Sequence, residues 1–326
     1  MSMGSARTEG LSSRQLATYA YAGHFIRSDV HLPELRAGES HCFNALAAIV
    51  DVARAPNSEI NLAFPHLYEE GFQESSSAGK LQILNFTSTV FFVRPGQPTK
   101  VYYWCNEKAP GSAEFRHLLL DLVLPRVLAS KGLMVLHGAL LSRGKSGLAL
   151  IGPTGSGKST LATAMTKCGW ELLSDDGFVV TIDGLRVRAA PTYRTLRLWP
   201  DSIRSLYPVP PPTSQMSEHS LKRRVQLRGR VRKEGVELSV IFHLTEAASE
   251  LVNASRLAPG ESCMSLVSNS FALDPADSGS AAVRLRTAAE ITRRIPVSTL
   301  RYVRRYDRIG DICQEIERHQ PGSARC

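Results

Sequence analysis

The sequence predicts an α/β protein, α+β overall, in which a small mainly β domain precedes a core that alternates strands and helices. Before residue 108, short runs rich in Val, Ile, Leu, Phe and Tyr are separated by Gly, Pro and Ser segments. After it, a strand, a Gly-rich loop, a helix and a second strand follow one another between residues 147 and 174. We therefore divide the chain into a flexible tail (1–15), a small mainly β N-terminal domain (16–108) and a core domain (109–326).

Composition narrows the class of protein. Of the 326 residues, 43% are apolar and 21% are charged, which excludes disorder over most of the chain. No apolar run approaches the ~20 residues that a membrane helix needs, and no signal-peptide stretch follows the N-terminus. These observations predict a soluble cytoplasmic protein without a membrane partner.

Charge and cysteine usage narrow the class of protein further. The net charge of +9 favours an anionic partner such as a nucleotide, an acidic peptide or nucleic acid, although many soluble proteins are as basic. The six cysteines are scattered and contain no C-x-x-C pair, which argues against a zinc site or a disulfide framework. We expect reduced and mostly buried thiols.

The predicted elements follow from periodicity and from turn residues. In the N-terminal domain the strand-like runs are Ser58–Phe64, Leu81–Phe86, Val90–Val93 and Lys100–Cys105. Apolar residues at helical spacing predict a helix over Ser112–Ser130. Two apolar runs joined by a tight turn predict a hairpin, followed by a helix and a strand; these elements are Leu133–Leu141, Gly147–Ile151, Lys158–Cys168 and Glu171–Ser174.

The last third of the chain gives fewer signals. Four prolines within residues 208–212 predict an irregular loop. Strands are predicted over Val236–Leu244 and Val297–Val303, and helices over Cys263–Leu273, Ala281–Arg294 and Ile309–His319.

A phosphate loop lies between the predicted hairpin and the next helix. The pattern G-x-x-x-x-G-K-[ST] is matched in full by Gly152-Pro153-Thr154-Gly155-Ser156-Gly157-Lys158-Ser159, with Thr160 after it. Glycines let backbone N–H groups curl around phosphate oxygens, and the helix N-terminus adds partial positive charge. In this pattern Lys158 reaches the β- and γ-phosphates, and the Ser159 hydroxyl binds Mg²⁺. The sequence therefore predicts nucleoside triphosphate binding, which does not by itself name a reaction.

Two adjacent carboxylates, Asp175 and Asp176, follow the very next predicted strand, 17 residues after Lys158. One can hold Mg²⁺ while the other accepts the proton of an attacking hydroxyl. Asp-Asp-Gly is also favourable turn chemistry, so a purely structural role is the alternative. His137, on the first strand of the hairpin, is either a core histidine or a group that orients a carboxylate or stabilises charge on a transferring phosphoryl group.

Around these residues the chain resembles the catalytic domain of the HPr kinase/phosphorylase family, and more closely the shorter HPr-kinase-like serine kinases. The similar segments are Leu136–Ala139, Leu150–Thr160 and Leu173–Asp176, with further similarity at Ile26–Leu35 and Leu196–Ser202. The match is convincing over residues 131–207.

The resemblance implies a phosphate-loop core similar to that of phosphoenolpyruvate carboxykinases, and transfer of a nucleotide γ-phosphoryl group to a serine with Mg²⁺. It places His137, Asp175 and Asp176 on catalytic positions, and the loop of residues 152–159 on the phosphate site. Either aspartate can be the base. We favour Asp175, which leaves Asp176 with Ser159 for the metal.

Two basic stretches follow. The first comprises Lys222, Arg223, Arg224, Arg228, Arg230, Arg232 and Lys233. A cation closing over ATP would neutralise charge on the γ-phosphoryl oxygens. Similar kinases carry a Lys-Arg pair near here, which selects Lys222 and Arg223 as catalytic candidates; a solvated charge run is the alternative. The second stretch, arginine-rich over residues 284–308, fits a surface for an acidic peptide or protein, with plain surface as the alternative. No nucleic-acid-binding motif accompanies it.

The leading hypothesis is an ATP- and Mg²⁺-dependent kinase whose partner is a small protein or peptide with an acceptor serine. Two alternatives stay open: an ATP-binding regulatory or assembly module without transfer activity, and a small-molecule kinase. The sequence leaves the oligomeric state open, including a homo-oligomer.

Overall fold

The structure, a computed structural model, describes residues 16–37, 50–55, 75–78, 81–86, 88–105, 110–216, 220–227, 235–247 and 251–320. The chain has a mixed α/β architecture with a mainly β N-terminal region, as predicted. The predicted tail, the strand expected at Ser58–Phe64 and the basic residues 228–233 lie outside the described residues.

The N-terminal region forms one sheet. In the described residues it has eight strands: β1 Ala17–Tyr21, β2 His24–Ser28, β3 Arg36–Ala37, β4 Val50–Arg54, β5 Ser75–Ala78, β6 Leu81–Phe86, β7 Thr89–Arg94 and β8 Thr99–Cys105. Their order is β3-β1-β2-β4-β8-β7-β6-β5. The strands predicted near residues 81–86, 90–93 and 100–105 are thereby confirmed.

A long helical stretch packs against this sheet. It consists of α1 Ala113–His117, a π-helical segment Leu118–Val123 and α2 Leu124–Ser130. The Ser112 hydroxyl caps it by accepting the N–H of Phe115 at 3.2 Å. Its buried leucines and valines share one apolar core with β-strand residues such as Ile26 and Phe91. The N-terminal sheet is therefore covered by the helix that leads into the rest of the chain.

The remaining strands build a second, larger sheet and a small third one. They are β9 Met134–Leu136, β10 Gly138–Arg143, β11 Ser146–Ile151, β12 Glu171–Ser174, β13 Phe178–Asp183, β14 Arg186–Pro191, β15 Arg197–Leu198, β16 Thr213–Gln215, β17 Arg223–Val225, β18 Val236–Glu246, β19 Asn253–Arg256 and β20 Val297–Tyr302. The larger sheet has the order β12-β10-β11-β18-β14-β13-β9, with β20 beside β18 and β19 beside β20. The small sheet has the order β15-β17-β16.

The helices beyond residue 150 are α3 Lys158–Lys167, α4 Pro200–Leu206, α5 Pro259–Ser268, α6 Ser278–Thr292 and α7 Ile309–Arg318. Strand β18 runs parallel to both β11 and β20. The carboxyl ends of these three strands therefore meet at one edge of the sheet, which is the edge where α/β proteins bind ligands.

Two expectations about the elements are wrong. Leu133–Leu141 is not one strand: β9 pairs with β13, whereas β10 pairs with β11 and β12, so the backbone breaks at His137 between them. The helix expected over Cys263–Leu273 begins earlier, at Pro259, and ends at Ser268. Just beyond that end, Ser270 forms a β-bridge with Leu136.

Cysteine burial also differs from expectation. Of the four cysteines in the described residues, all free thiols, only Cys313 is buried, and Cys168 is exposed because it follows the end of α3 at the surface. No helix in the described part of the chain is both long and apolar enough to cross a bilayer.

Candidate active site

The phosphate loop joins β11 to α3, as its sequence predicts, and its glycines are required by geometry. Gly152 and Gly157 have φ angles of 145° and 93°, a region that side chains disfavour. A Cβ atom at Gly152 would lie 2.9 Å from the carbonyl oxygen of Leu244, and one at Gly157 would lie 2.8 Å from the Tyr302 hydroxyl. Neighbouring strands thus press directly on the loop backbone.

Two side chains, one at the end of β20 and one just beyond it, bind the backbone of the loop. The Tyr302 hydroxyl donates to the carbonyl of Ser156 at 2.5 Å, and Arg304 Nη1 donates to the carbonyl of Gly155 at 2.6 Å. Arg304 also pairs with Glu246 at 3.0 Å. Arg304 belongs to the arginine-rich stretch for which the sequence favours an acidic-peptide surface; here it supports the phosphate loop, and the docking role of the stretch stays a prediction.

Lys158 is buried inside the loop. Its Nζ donates to the carbonyls of Gly152 and Pro153, at 2.7 and 3.0 Å. Burial, together with nearby Lys222, lowers the pKa of Lys158 to about 8, although Asp175 opposes the shift. The hydrogen bonds of this ammonium group become stronger when charged phosphate oxygens replace the neutral backbone carbonyls as its acceptors.

The two residues after Lys158 line the same cavity. Ser159 lines the cavity beside Asp175. Thr160 also lines it, and its hydroxyl lies 3.2 Å from that of Ser202, which in turn lies 3.0 Å from the hydroxyl of Tyr306. Thr154 lines the same cavity.

Asp175 is the most buried acid of the site. It is 1% exposed, its Oδ2 accepts the backbone N–H of Arg197 at 2.9 Å, and its Oδ1 is buried without a hydrogen-bond partner. Burial raises the pKa of Asp175, and contacts with Arg197 and Ser159 offset this only in part. A buried carboxylate oxygen without a partner is costly unless something binds it.

Asp176 contacts His137 through its backbone carbonyl group and Arg197 through its carboxylate. The Asp176 carboxylate forms an ion pair with Arg197, while its backbone carbonyl lies 3.0 Å from His137 Nδ1. A carbonyl can only accept, so Nδ1 carries the proton and Nε2 is left as an acceptor. Burial first, then Lys158, Arg197 and Lys222, lower the pKa of His137 to about 4, so the ring is neutral at pH 7.

The turn that carries both aspartates is fastened to the N-terminal sheet. The carbonyl of Gly177 accepts the hydroxyls of Ser174 at 2.6 Å and Thr192 at 2.8 Å, and also the N–H of Thr192 at 3.1 Å. The carbonyl of Thr192 then accepts the N–H of Ala22, in the turn between β1 and β2, at 3.2 Å. Position and rigidity of the turn thus depend on residues far away in sequence.

Arg197 was not singled out by the sequence analysis, although its side chain forms ion pairs with two acids of the site, Asp121 and Asp176. Its side chain is 5% exposed and lies 3.2 Å from Asp121 and 2.9 Å from His117, besides its ion pair with Asp176. Tyr193 donates to Asp121 at 2.6 Å. Although burial raises the pKa of Asp121, these partners outweigh it and the net shift is downward. The available signal was an arginine between Leu196 and Leu198, inside a segment already noted for its resemblance.

The structure separates the two basic candidates. Lys222 lines the cavity, with its Nζ 5.7 Å from the centroid of the Trp199 ring, and burial lowers its pKa. Arg223 begins β17 and is exposed, so it is not brought into the cavity. The next residue, Arg224, pairs with the buried carboxylate of Glu34, which also binds Arg116 at 2.8 Å.

One cavity of about 790 Å³, a size typical of small-molecule sites, is bordered by His137, Lys158, Ser159, Thr160, Asp175, Asp176, Arg197 and Lys222. No cluster of three or more His, Cys, Asp or Glu side chains suited to a metal occurs among the described residues. Mg²⁺ bound with a nucleotide takes most of its ligands from phosphates and water. The oxygens of Ser159, Asp175 and Asp176 are of the kind that this ion prefers.

Comparison with known proteins adds little. No family model matches the chain, and no curated protein matches it. Among solved structures, the HPr(Ser) kinase/phosphatase from Coxiella burnetii is similar over 57% of this chain and 95% of that one, at 12% identity and a TM-score of 0.28. This is a distant likeness in fold, and it establishes no activity for this chain.

Proposed function

We propose that this protein transfers the γ-phosphoryl group of ATP to the hydroxyl of a serine in a small protein or peptide. The observation that carries the proposal is the Asp175 carboxylate. It is buried, has one oxygen without a partner, and borders the same cavity as Lys158 and Ser159. A carboxylate in that position suits proton removal from an acceptor that reaches the γ-phosphate.

In the proposed reaction, the serine oxygen forms a bond to the γ-phosphorus and the bond to the β,γ-bridging oxygen breaks, which releases ADP. The serine proton passes to Asp175. Lys158 and the loop N–H groups bind the β- and γ-phosphates, and Lys222 neutralises charge on the transferred group. When bound, Mg²⁺ would neutralise charge on the β- and γ-phosphate oxygens, and Ser159 with Asp176 would hold it.

His137 has a positioning role in this scheme. Its Nδ1–H binds the carbonyl of Asp176 and thereby holds the turn that carries Asp175 and Asp176. A neutral ring at this place also avoids adding a further cation beside Lys158 and Lys222.

The test is labelling with γ-labelled ATP and Mg²⁺ in a lysate of the source organism, with Lys158→Ala as the inactive control. A labelled protein or peptide that is absent from the control supports the proposal. Label in a metabolite alone would instead indicate a small-molecule kinase. ATP binding by calorimetry with no transfer to anything would indicate a regulatory module.

Paired variants test the residue roles. Asp175→Asn with Asp176→Asn is expected to keep ATP binding and abolish transfer; full transfer by this double variant would refute the assignment. Lys222→Gln should slow transfer much more than Arg223→Gln, because only Lys222 borders the cavity. Equal effects would show that their position in the fold does not determine their role.

A further inference from the structure

A second cavity, of about 310 Å³, lies beside the first. The two share the ring of Phe271, which borders both. The second cavity is bounded by residues 84–86 of β6, by Arg126 of α2, by residues 270–273 with Pro275, and by Arg284 of α6. The N-terminal sheet therefore contributes one wall.

The charged side chains in the described lining of this cavity are all cationic. Its described lining contains two guanidinium groups, those of Arg126 and Arg284, and no carboxylate. The Arg284 Nε is buried without a hydrogen-bond partner. The acid whose charge interacts with Arg284 is Asp277, and its carboxylate already accepts from Gly279 and Ser280 at the start of α6.

Arg126, on α2, is the second cation of this lining. Its Nη1 donates to the carbonyl of Leu122 at 2.6 Å, and its guanidinium lies 5.8 Å from the centroid of the Phe271 ring. Burial lowers the pKa of Arg126, because removing a cation from water disfavours its charged form. An anion between the two arginines would satisfy the buried donor of Arg284.

The second cavity adjoins the part of the first cavity that His137 lines, because Phe271 borders both cavities and contacts the His137 ring. In-line transfer requires the acceptor oxygen to enter opposite the leaving phosphate, and thus from the His137 side rather than from the loop. The His137 ring lies 5.9 Å from the centroid of Phe271, on whose ring the Arg126 guanidinium also packs. A peptide that passes over the Phe271 ring, from His137 to Arg126, needs about three residues of extended chain, at ~3.3 Å per residue.

We propose that the second cavity binds the carboxylate of an Asp or Glu side chain of the acceptor, about three residues from the phosphorylated serine. This inference rests on the proposed function and specifies its substrate class, an acidic serine peptide. Arg284 and Arg126 bind the carboxylate, and Phe271 packs against the peptide between the two subsites.

The test uses fluorescein-labelled eleven-residue peptides with one central serine. A single Glu is placed in turn at each position from five before to five after the serine, and each peptide has a Gln twin. Binding to the full-length protein is measured by anisotropy with Mg²⁺ and a non-hydrolysable ATP analogue. We expect the Glu peptide to bind about tenfold more tightly than its Gln twin at a position near three, as one charge-assisted contact predicts.

Variants assign this preference to the cavity. Arg284→Gln should abolish it and Arg284→Lys should restore part of it. Arg286→Gln removes the same charge from an exposed position on the same helix, and should leave the preference intact. Thermal melting checks that each variant is folded. Equal binding of Glu and Gln twins, a preference unaffected by Arg284→Gln, or no binding by any peptide would each overturn the proposal.

The same peptides with γ-labelled ATP separate this inference from the proposed function. An Arg284-dependent Glu preference in binding without phosphorylation leaves the subsite standing and refutes the kinase. Phosphorylation that ignores the position of Glu leaves the kinase standing and refutes the subsite. Free glutarate is the small-molecule arm. If it binds in an Arg284-dependent way while the peptides show no preference, the cavity serves a free carboxylate, and the peptide assignment is wrong.

Discussion

The lowered pKa of Lys158 makes ATP affinity depend on pH in a way that can be calculated. In the empty site the pKa of Lys158 is about 8, against its ordinary value of 10.5. Bound phosphates favour the charged ammonium and raise the pKa again. The pKa is thus higher in the complex, so this contribution to binding is complete below pH 8 and is lost as the pH rises above 8.

The magnitude follows from the two pKa values. With the ordinary value of 10.5 restored in the complex, affinity falls about 20-fold between pH 7.5 and pH 9.5. At pH 8 half of the free protein carries a neutral Lys158, so ATP binding takes up about 0.5 proton.

Both quantities are measurable with the purified protein. Titration with a fluorescent ATP analogue at fixed ionic strength gives Kd against pH. Calorimetry at pH 8, in buffers with different ionisation enthalpies, gives the proton uptake.

Two variants identify the group that titrates. Lys158→Arg keeps the charge at every pH of the series and should flatten the curve, even though it weakens binding overall. Lys222→Met removes the other cavity lysine, whose pKa burial also lowers, and should leave most of the slope. A Kd that is constant across the range, or a slope that persists in Lys158→Arg, would refute the reasoning.

Three further substitutions probe the supports of the site. Gly157→Ala places a Cβ atom 2.8 Å from the Tyr302 hydroxyl at a φ of 93°; we expect at least about a tenfold loss of affinity for the fluorescent ATP analogue, from ~1–2 kcal/mol of backbone strain plus the displaced contact. Arg197→Gln leaves buried carboxylates short of a partner, and should lower the free energy of unfolding in urea by about 3 kcal/mol. Glu34→Gln weakens the anchor of Arg224 beside Lys222, so the rate of transfer should fall about tenfold while the Kd for ATP changes less, as kinetics and calorimetry would show.

Two of these substitutions have a companion variant, and the third has an outcome that would contradict it. Gly155→Ala has a similar φ of 82° but meets only Arg304, at 3.8 Å, and should cost less than Gly157→Ala. Asp121→Asn should cost less in the Arg197→Gln background than alone, because the partner of the carboxylate is already lost. For Glu34→Gln, equal losses in ATP affinity and in transfer rate would contradict a role specific to Lys222.

The sequence predicts those parts of the site that consist of consecutive residues. The phosphate loop, its preceding strand and its helix were placed correctly because glycine positions and local periodicity determine them. The bend at Asp175 follows from turn chemistry over four residues. These features need no knowledge of what packs against them.

Other parts depend on contacts between distant segments. Nothing local indicates that the strand breaks at His137, because the break reflects two different partner strands, β13 and β11. The burial of Arg197 depends on Asp121, 76 residues earlier, and on the π-helical segment that carries it. Lys222 and Arg223 are neighbours, and alternate residues of an extended chain face opposite sides. The sequence does not show which of the two faces the cavity.

The chain of hydrogen bonds from Ala22 through Thr192 to Gly177 also bears on how such a protein can diverge. Because the first hairpin helps to hold the carboxylate turn, the N-terminal sheet is not an interchangeable attachment to the rest of the chain. A sheet borrowed from a relative would have to bring its own match to the surface around Thr192 and Tyr193. Inherited changes in residues 21–23 should therefore be tolerated mainly together with compensating changes in residues 174–193, so the two stretches are expected to evolve as one unit.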